Sequence, residues 1–246
     1  DSTHLRTILE ELKERGYQTG LISLTTITHA TPACFYAHVT DRDMHEEIAA
    51  QLVDAGVDFF AGAGWKYFTE RADGQNLLQA FQQKGYTIDT TALAKQAEGG
   101  KKYGFLLDKN TMPSKTQGRG DFLREATQLA LEYFKKSDKP YFLMVEGSYI
   151  DWGGHDNNAQ MVIQESVDFD QTIGLVLDKT KDDTNTLVVV TADHETGGVA
   201  IGKYYDVNDE GKKIERGDTL SVYFNTDQHT AALVPVFAKG YREELF

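Results

Sequence analysis

The chain has 246 residues, of which 40% are hydrophobic, 11% aromatic and 26% charged, with four prolines; this is the make-up of a globular protein and excludes disordered, collagenous and coiled-coil chains. Twenty-five Lys and Arg against 38 Asp and Glu give a net charge of −13, which argues against nucleic acid or an anionic membrane as a partner, because phosphate backbones are bound through clustered cations. No apolar run reaches the ~18 residues of a membrane span, and an excess of carboxylates suits divalent cations.

Leu5, Ile8, Leu9 and Leu12 have helical spacing and predict a helix over 3–15, stopped by Gly16. A helix so close to the first residue points to a truncated chain. Next come a buried strand over 20–25, a helix over 44–55 ended by Gly56, and a strand over 57–61. The pattern repeats as a helix over 75–84, a strand over 86–88 and a small strand over 103–107. A long helix follows over 119–136. Residues 140–146 and 186–192 are continuous apolar runs and the best strand candidates, with a helix over 157–179 between them and a last strand over 233–238. Residues 199–226 are polar, carry Gly202, Gly211 and Gly217, and keep no period; they read as a surface excursion within one domain spanning 1–246. Alternating helices and strands predict an α/β fold with a largely parallel central sheet and helices on both faces. The single cysteine, Cys34, excludes an intrachain disulfide.

Ligands in open α/β sheets bind beyond the carboxyl ends of strands. Three such ends are crowded here, at Glu146 to Asp156, Asp193 to Gly198 and Thr28 to Pro32. Asp151 and His155, four residues apart, meet one metal if they share a helical turn. Adjacent Asp193 and His194 are expected to point in different directions from the backbone, which lets them serve two metals or one metal from two sides. A single Asp or His after a strand is ordinarily a helix cap. Here two strand ends each present both types within five residues, bracketed by glycines that permit close backbone approach, which favours a site. Glu195 and Asp156 are either hydrogen-bond partners of the ligands or solvated charges. His4 and His45 read as solvated, and His38 as a structural hydrogen-bonding residue.

The segments Thr28-His29-Ala30-Thr31-Pro32-Ala33 with Ala37-His38-Val39 and Arg42, Val145-Glu146-Gly147-Ser148 through Ile150-Asp151-Trp152-Gly153-Gly154-His155, Thr191-Ala192-Asp193-His194-Glu195-Thr196-Gly197-Gly198, and Gln228-His229-Thr230 together closely resemble alkaline phosphatases of the bacterial and animal type. The resemblance implies two zinc ions and one magnesium. Asp151, His155 and His229 match the ligands of the first zinc, Asp193 and His194 those of the second, and Thr31 and Glu146 those of the third metal. Arg42 matches the arginine that clamps the substrate phosphate. His29 and Trp152 stand where some members carry Asp and Lys around the third metal. The resemblance further implies hydrolysis of phosphate monoesters to inorganic phosphate through a phosphoserine, a possible homodimer, and a periplasmic or secreted location. The family's nucleophile motif Asp-Ser-Ala and its bridging Gly-Asp-Gly motif are absent from these residues, Asp1-Ser2-Thr3 matching only superficially. The chain is therefore expected to be an inactive fragment incomplete at the N-terminus, with part of its sheet edge exposed. Two other functions fit the same residues: a phosphodiesterase or sulfatase of the same superfamily, and a non-catalytic module that binds divalent metal.

Overall fold

The computed structural model describes residues 4–246, with the Asp218 side chain excepted. The expected start of the first helix at Thr3, and the Asp1-Ser2-Thr3 segment, lie outside the described residues. The chain divides into two compact units, one running through Ser148 and including Asp168–Lys179, the other formed by Tyr149–Val167 and Thr180–Phe246.

In the first unit, α1 (Ile8–Glu14) starts at Thr7, which forms a capping box with Glu10. After β1 (Gln18–Thr26) come the short α2 (Ala30–Ala33), then α3 (His45–Ala55), closed by Gly56 in a left-handed conformation. The sequence continues through β2 (Phe59–Ala63), α4 (Lys66–Thr69), α5 (Leu77–Gln83) capped by Asn76, β3 (Tyr86–Asp89), β4 (Lys102–Leu106), α6 (Phe122–Phe134) and β5 (Tyr141–Glu146). The five strands form one sheet in the order β3-β4-β2-β1-β5, every neighbouring pair parallel.

Helices cover both faces, as the alternation predicts. Successive side chains on a strand point to opposite faces: Phe59 packs against Tyr133 and Phe134 of α6, while Phe60 packs against Phe81 of α5. Leu9, Leu21, Ile48, Leu52 and Phe60 join one buried hydrophobic cluster. Arg119, expected to open the long helix, instead precedes α6 and is buried in an ion pair with Asp168 at 2.8 Å, with Lys115 at 2.7 Å on the other carboxylate oxygen. The helical period continues upstream of the true start, but Gly118 and Gly120 take left-handed backbone there.

The second unit contains α7 (Tyr149–His155) and the first part of α8 (Ala159–Thr180), capped by Asn158. Its strands pair in twos. β6 (Leu187–Val190) is antiparallel to the last strand, β11 (Phe237–Gly240), and β7 (Glu195–Thr196) to β10 (His229–Thr230). The polar excursion is a hairpin of β8 (Ala200–Val207) and β9 (Lys213–Tyr223). Its alternation is hidden by a register shift at Lys203/Tyr204. The strand expected over 233–238 begins only at Phe237, since Pro235 has no N–H to give to a ladder and Leu233 is fully exposed. No helix among the described residues is long and apolar enough to cross a membrane.

Candidate metal centre

Asp151 and His155 lie on α7 four residues apart, and β10 sets His229 opposite Thr196 of β7. Asp151 Oδ1 is 3.5 Å from the Nε2 atoms of both His155 and His229, which are themselves 3.1 Å apart. Donors held at about 2.0–2.2 Å around a tetrahedral zinc stand roughly 3.3–3.6 Å from one another. The three atoms are therefore spaced like three corners of one small coordination sphere. His155 Nδ1 lies 2.6 Å from the Asp227 carbonyl, which can only accept, so the ring proton sits on Nδ1 and the Nε2 lone pair faces His229. Two lone pairs at this distance repel unless a proton or a cation lies between them. All three residues are partly exposed, which leaves them open to an entering ion.

Asp193 Oδ2 and His194 Nε2 are 3.1 Å apart, so the functional atoms converge where strand alternation would separate them; residues 191–194 are not strand. His194 Nδ1 is 3.2 Å from Thr196 Oγ1, whose hydroxyl donates to Asp151 Oδ1 at 2.5 Å. Thr196 thereby links Asp151 to His194, and the His194 ring stacks on His229 at 3.5 Å. Among the described residues no further His, Cys, Asp or Glu completes a three-donor set around Asp193 and His194.

This geometry needs α7 to approach the turn after β7 closely. A Cβ on Gly154 would lie 2.7 Å from the Thr196 carbonyl oxygen, and one on Gly197, whose φ is +92°, would lie 2.9 Å from the Gly154 carbonyl oxygen. The expected close approach at the bracketing glycines is thus present. Glu195 holds the turn: its carboxylate accepts from the Gly198 and Val199 N–H groups and from the Thr230 hydroxyl. Burial pushes the Glu195 carboxyl up, and these bonds outweigh it, leaving the group below its usual range. Asp156 is an exposed loop charge.

The other predicted residues, apart from Trp152, lie in the first unit. Arg42 is exposed and its Nη2 sits 3.3 Å from His29 Nε2. Thr31 lies in α2, which packs against β1 and β5. Glu146 ends β5, where its Oε2 accepts from the hydroxyls of Ser23 and Ser148, each at 2.6 Å. Trp152, in the second unit, packs edge-on against Tyr149. His38 is a hydrogen-bonding residue as expected, 2.9 Å from Glu10 Oε1. His4 and His45 are not simply solvated: His4 stacks on His38, and His45 stacks on Tyr67 with Nδ1 3.1 Å from the buried Thr28 hydroxyl. These partners are distant in sequence, so charge and exposure patterns do not reveal them. Two contributors to the donor cluster escape a residue-by-residue reading. Thr196 acts through a hydroxyl inside a motif read for its Asp and His, and Asp227 acts through its backbone carbonyl, which no side-chain pattern reports.

The alkaline phosphatase family model matches residues 1–231. The chain belongs to the alkaline phosphatase family. Alkaline phosphatase 3 of Bacillus subtilis is 37% identical over 211 residues, a match covering 82% of this chain and 45% of that protein. For the alkaline phosphatase of Escherichia coli the identity is 32% over 241 residues, covering 76% and 51%. The chain thus spans about half the length of these relatives. The alkaline phosphatase from the Antarctic bacterium TAB5 aligns with a TM-score of 0.91 at 43% identity, over 98% of this chain and 70% of that one. A His-to-Asp mutant of that enzyme, with magnesium bound in its M3 site, aligns at 0.95 with the same identity, over 100% and 72%. Mixed α/β architecture around a parallel sheet is common to this chain and those alkaline phosphatases.

Proposed function

We propose that this chain is one alkaline phosphatase-like catalytic domain carrying the metal- and phosphate-binding residues of a phosphomonoesterase, acting through a phosphoserine whose serine is not among these 246 residues. The observation that carries it is the Asp151, His155 and His229 cluster, three donor atoms within 4.8 Å of one another on an α/β fold of this family. We assign a first zinc to those three residues, a second to Asp193 and His194, and a magnesium to Thr31 and Glu146. When bound, such cations stabilise the attacking and departing oxygens of an in-line displacement.

The chain's own residues have separate tasks. The Asp227 carbonyl holds the ring proton of His155 on Nδ1, which leaves Nε2 to face a cation, and Thr196 orients Asp151 and His194 together. Arg42 presents a planar fork able to give two parallel hydrogen bonds to phosphate oxygens, which a lysine cannot do, and His29 Nε2 restrains that fork from one side. By family resemblance, we infer that the whole protein is periplasmic or secreted and able to form a homodimer.

Dialysis of the purified chain against zinc, followed by metal analysis, tests this. One tightly held zinc is expected to disappear in each of D151A, H155A and H229A, and the chain by itself should not hydrolyse p-nitrophenyl phosphate. Unchanged zinc content in all three variants would overturn the metal assignment. Chelator-sensitive turnover by the unaltered chain would overturn the absence of the nucleophile.

A further inference from the structure

The parallel register of β1 and β5 sets Ser23 beside Glu146 near the carboxyl ends of both strands. Among the described residues, both hydrogen bonds of the Glu146 carboxylate fall on one oxygen, Oε2, from Ser23 Oγ and Ser148 Oγ at 2.6 Å each. That length is typical of a hydroxyl donating to an ionised carboxylate. Each serine has a single proton, and each gives it to the same oxygen.

The serines are themselves held as acceptors. Leu24 N–H donates to Ser148 Oγ and Thr25 N–H to Ser23 Oγ, both at 3.2 Å, and the Thr25 hydroxyl lies 2.7 Å from Ser23 Oγ. The two serine oxygens are 3.2 Å apart. Ser23 and Thr25 are completely buried and Ser148 is 7% exposed, so water cannot replace these donors without opening the sheet end. Glu146 is thus an asymmetric carboxylate, one oxygen fastened to a buried hydroxyl frame and the other, Oε1, outside it.

We propose that Ser23 and Ser148 are positioning residues that restrict Glu146 to binding a divalent cation through Oε1 alone, and that this restriction selects magnesium over calcium. The role rests on Glu146 being a cation ligand, as proposed above. Magnesium requires near-octahedral single-oxygen contacts at about 2.0–2.1 Å, whereas calcium, at about 2.3–2.6 Å, often takes both oxygens of a carboxylate. Two-oxygen binding by Glu146 would displace at least one of the two serine hydrogen bonds, because they occupy both lone pairs of Oε2. Thr31, assigned with Glu146 to this cation above, lies on the helix packed against β1 and β5.

The probe is Mn²⁺ bound to the zinc-preloaded chain and read by electron paramagnetic resonance, with Mg²⁺ or Ca²⁺ as competitor and circular dichroism confirming the fold. E146Q should lose this Mn²⁺ signal. S23A and S148A should weaken competition by Mg²⁺ about 10- to 100-fold, the usual effect of removing a hydrogen-bond partner of a metal ligand, with a much smaller change for Ca²⁺. S148T, which keeps the hydroxyl, should restore the Mg²⁺ preference. A general loosening of structure would weaken both competitors alike. If S23A fails to fold, S148A answers alone, because Ser148 lies beyond the end of β5. An unchanged Mg²⁺-to-Ca²⁺ ratio in S148A, with E146Q still abolishing the signal, overturns the positioning role and leaves Glu146 a ligand. Equal Mn²⁺ binding by E146Q and the unaltered chain overturns the ligand assignment and the positioning role with it.

Discussion

His38 Nε2 lies 2.9 Å from Glu10 Oε1, while the other Glu10 oxygen accepts from the Thr7 backbone N–H at 2.8 Å. One side chain thereby caps α1 and ties it to the segment leading to Arg42. Burial pushes the Glu10 carboxyl up, but the bonds from Thr7 and His38 outweigh it, so the folded group sits below its usual range. A carboxylate depressed in this way stabilises the fold fully above its unfolded value, near pH 4.3, and loses that contribution as pH falls through the folded value. Glutamine serves as well as glutamate in a capping box, so Glu10→Gln isolates the charge. It should lower the melting temperature at pH 7, and the deficit should close below about pH 4. Equal deficits at pH 7 and pH 3 would show that charge is not the cause. Neither the His38–Glu10 pair nor the His45–Thr28 bond follows from local pattern, because each joins residues more than a dozen positions apart.

At the scale of elements, the cluster of Asp151, His155 and His229 depends on how closely α7 can approach the turn between β7 and β8. Gly154 faces a backbone oxygen, not a flexible side chain, so a methyl group there must push the helix away. Ligand atoms held to within about 0.5 Å tolerate little of this. Gly154→Ala should therefore weaken zinc binding by about tenfold or more, measured by calorimetry, with helical content unchanged. Gly174 on α8 has open space where its Cβ would be, and Gly174→Ala should stabilise the chain by about 0.5–1 kcal/mol with no effect on zinc. Equal zinc affinity in both variants would remove the steric account. The glycines themselves were readable as places of close approach, whereas the oxygens they approach were not, since each belongs to a segment more than 40 residues away.

Across the whole molecule, a net charge of −13 gives no general attraction for a phosphate ester. On the proposed reading, bound cations and Arg42 supply the local positive charge against that background. The three clustered donor atoms, supplied by residues 151, 155 and 229, meet only on folding, so a cation binding them stabilises the native state alone. At a free zinc concentration 100 times its dissociation constant this linkage is worth about 2.7 kcal/mol. Calorimetric unfolding of the unit that holds Asp151, His155 and His229 should move to higher temperature with added zinc and return with chelator, while H229A should show no shift. A zinc-induced shift of equal size in H229A would place the stabilising ion elsewhere.

By itself, the sequence determined the α/β class, most helix and strand positions, and the paired Asp151 and His155, because these depend on periods of two to four residues that side-chain order encodes directly. Tertiary structure alone decided that Asp193 and His194 converge, that the polar excursion is a hairpin, and that Thr196, the Asp227 carbonyl, Ser23 and Ser148 hold the proposed ligands. Those outcomes depend on irregular backbone, on strand register and on contacts between residues far apart in the chain, none of which leaves a periodic trace in the order of side chains.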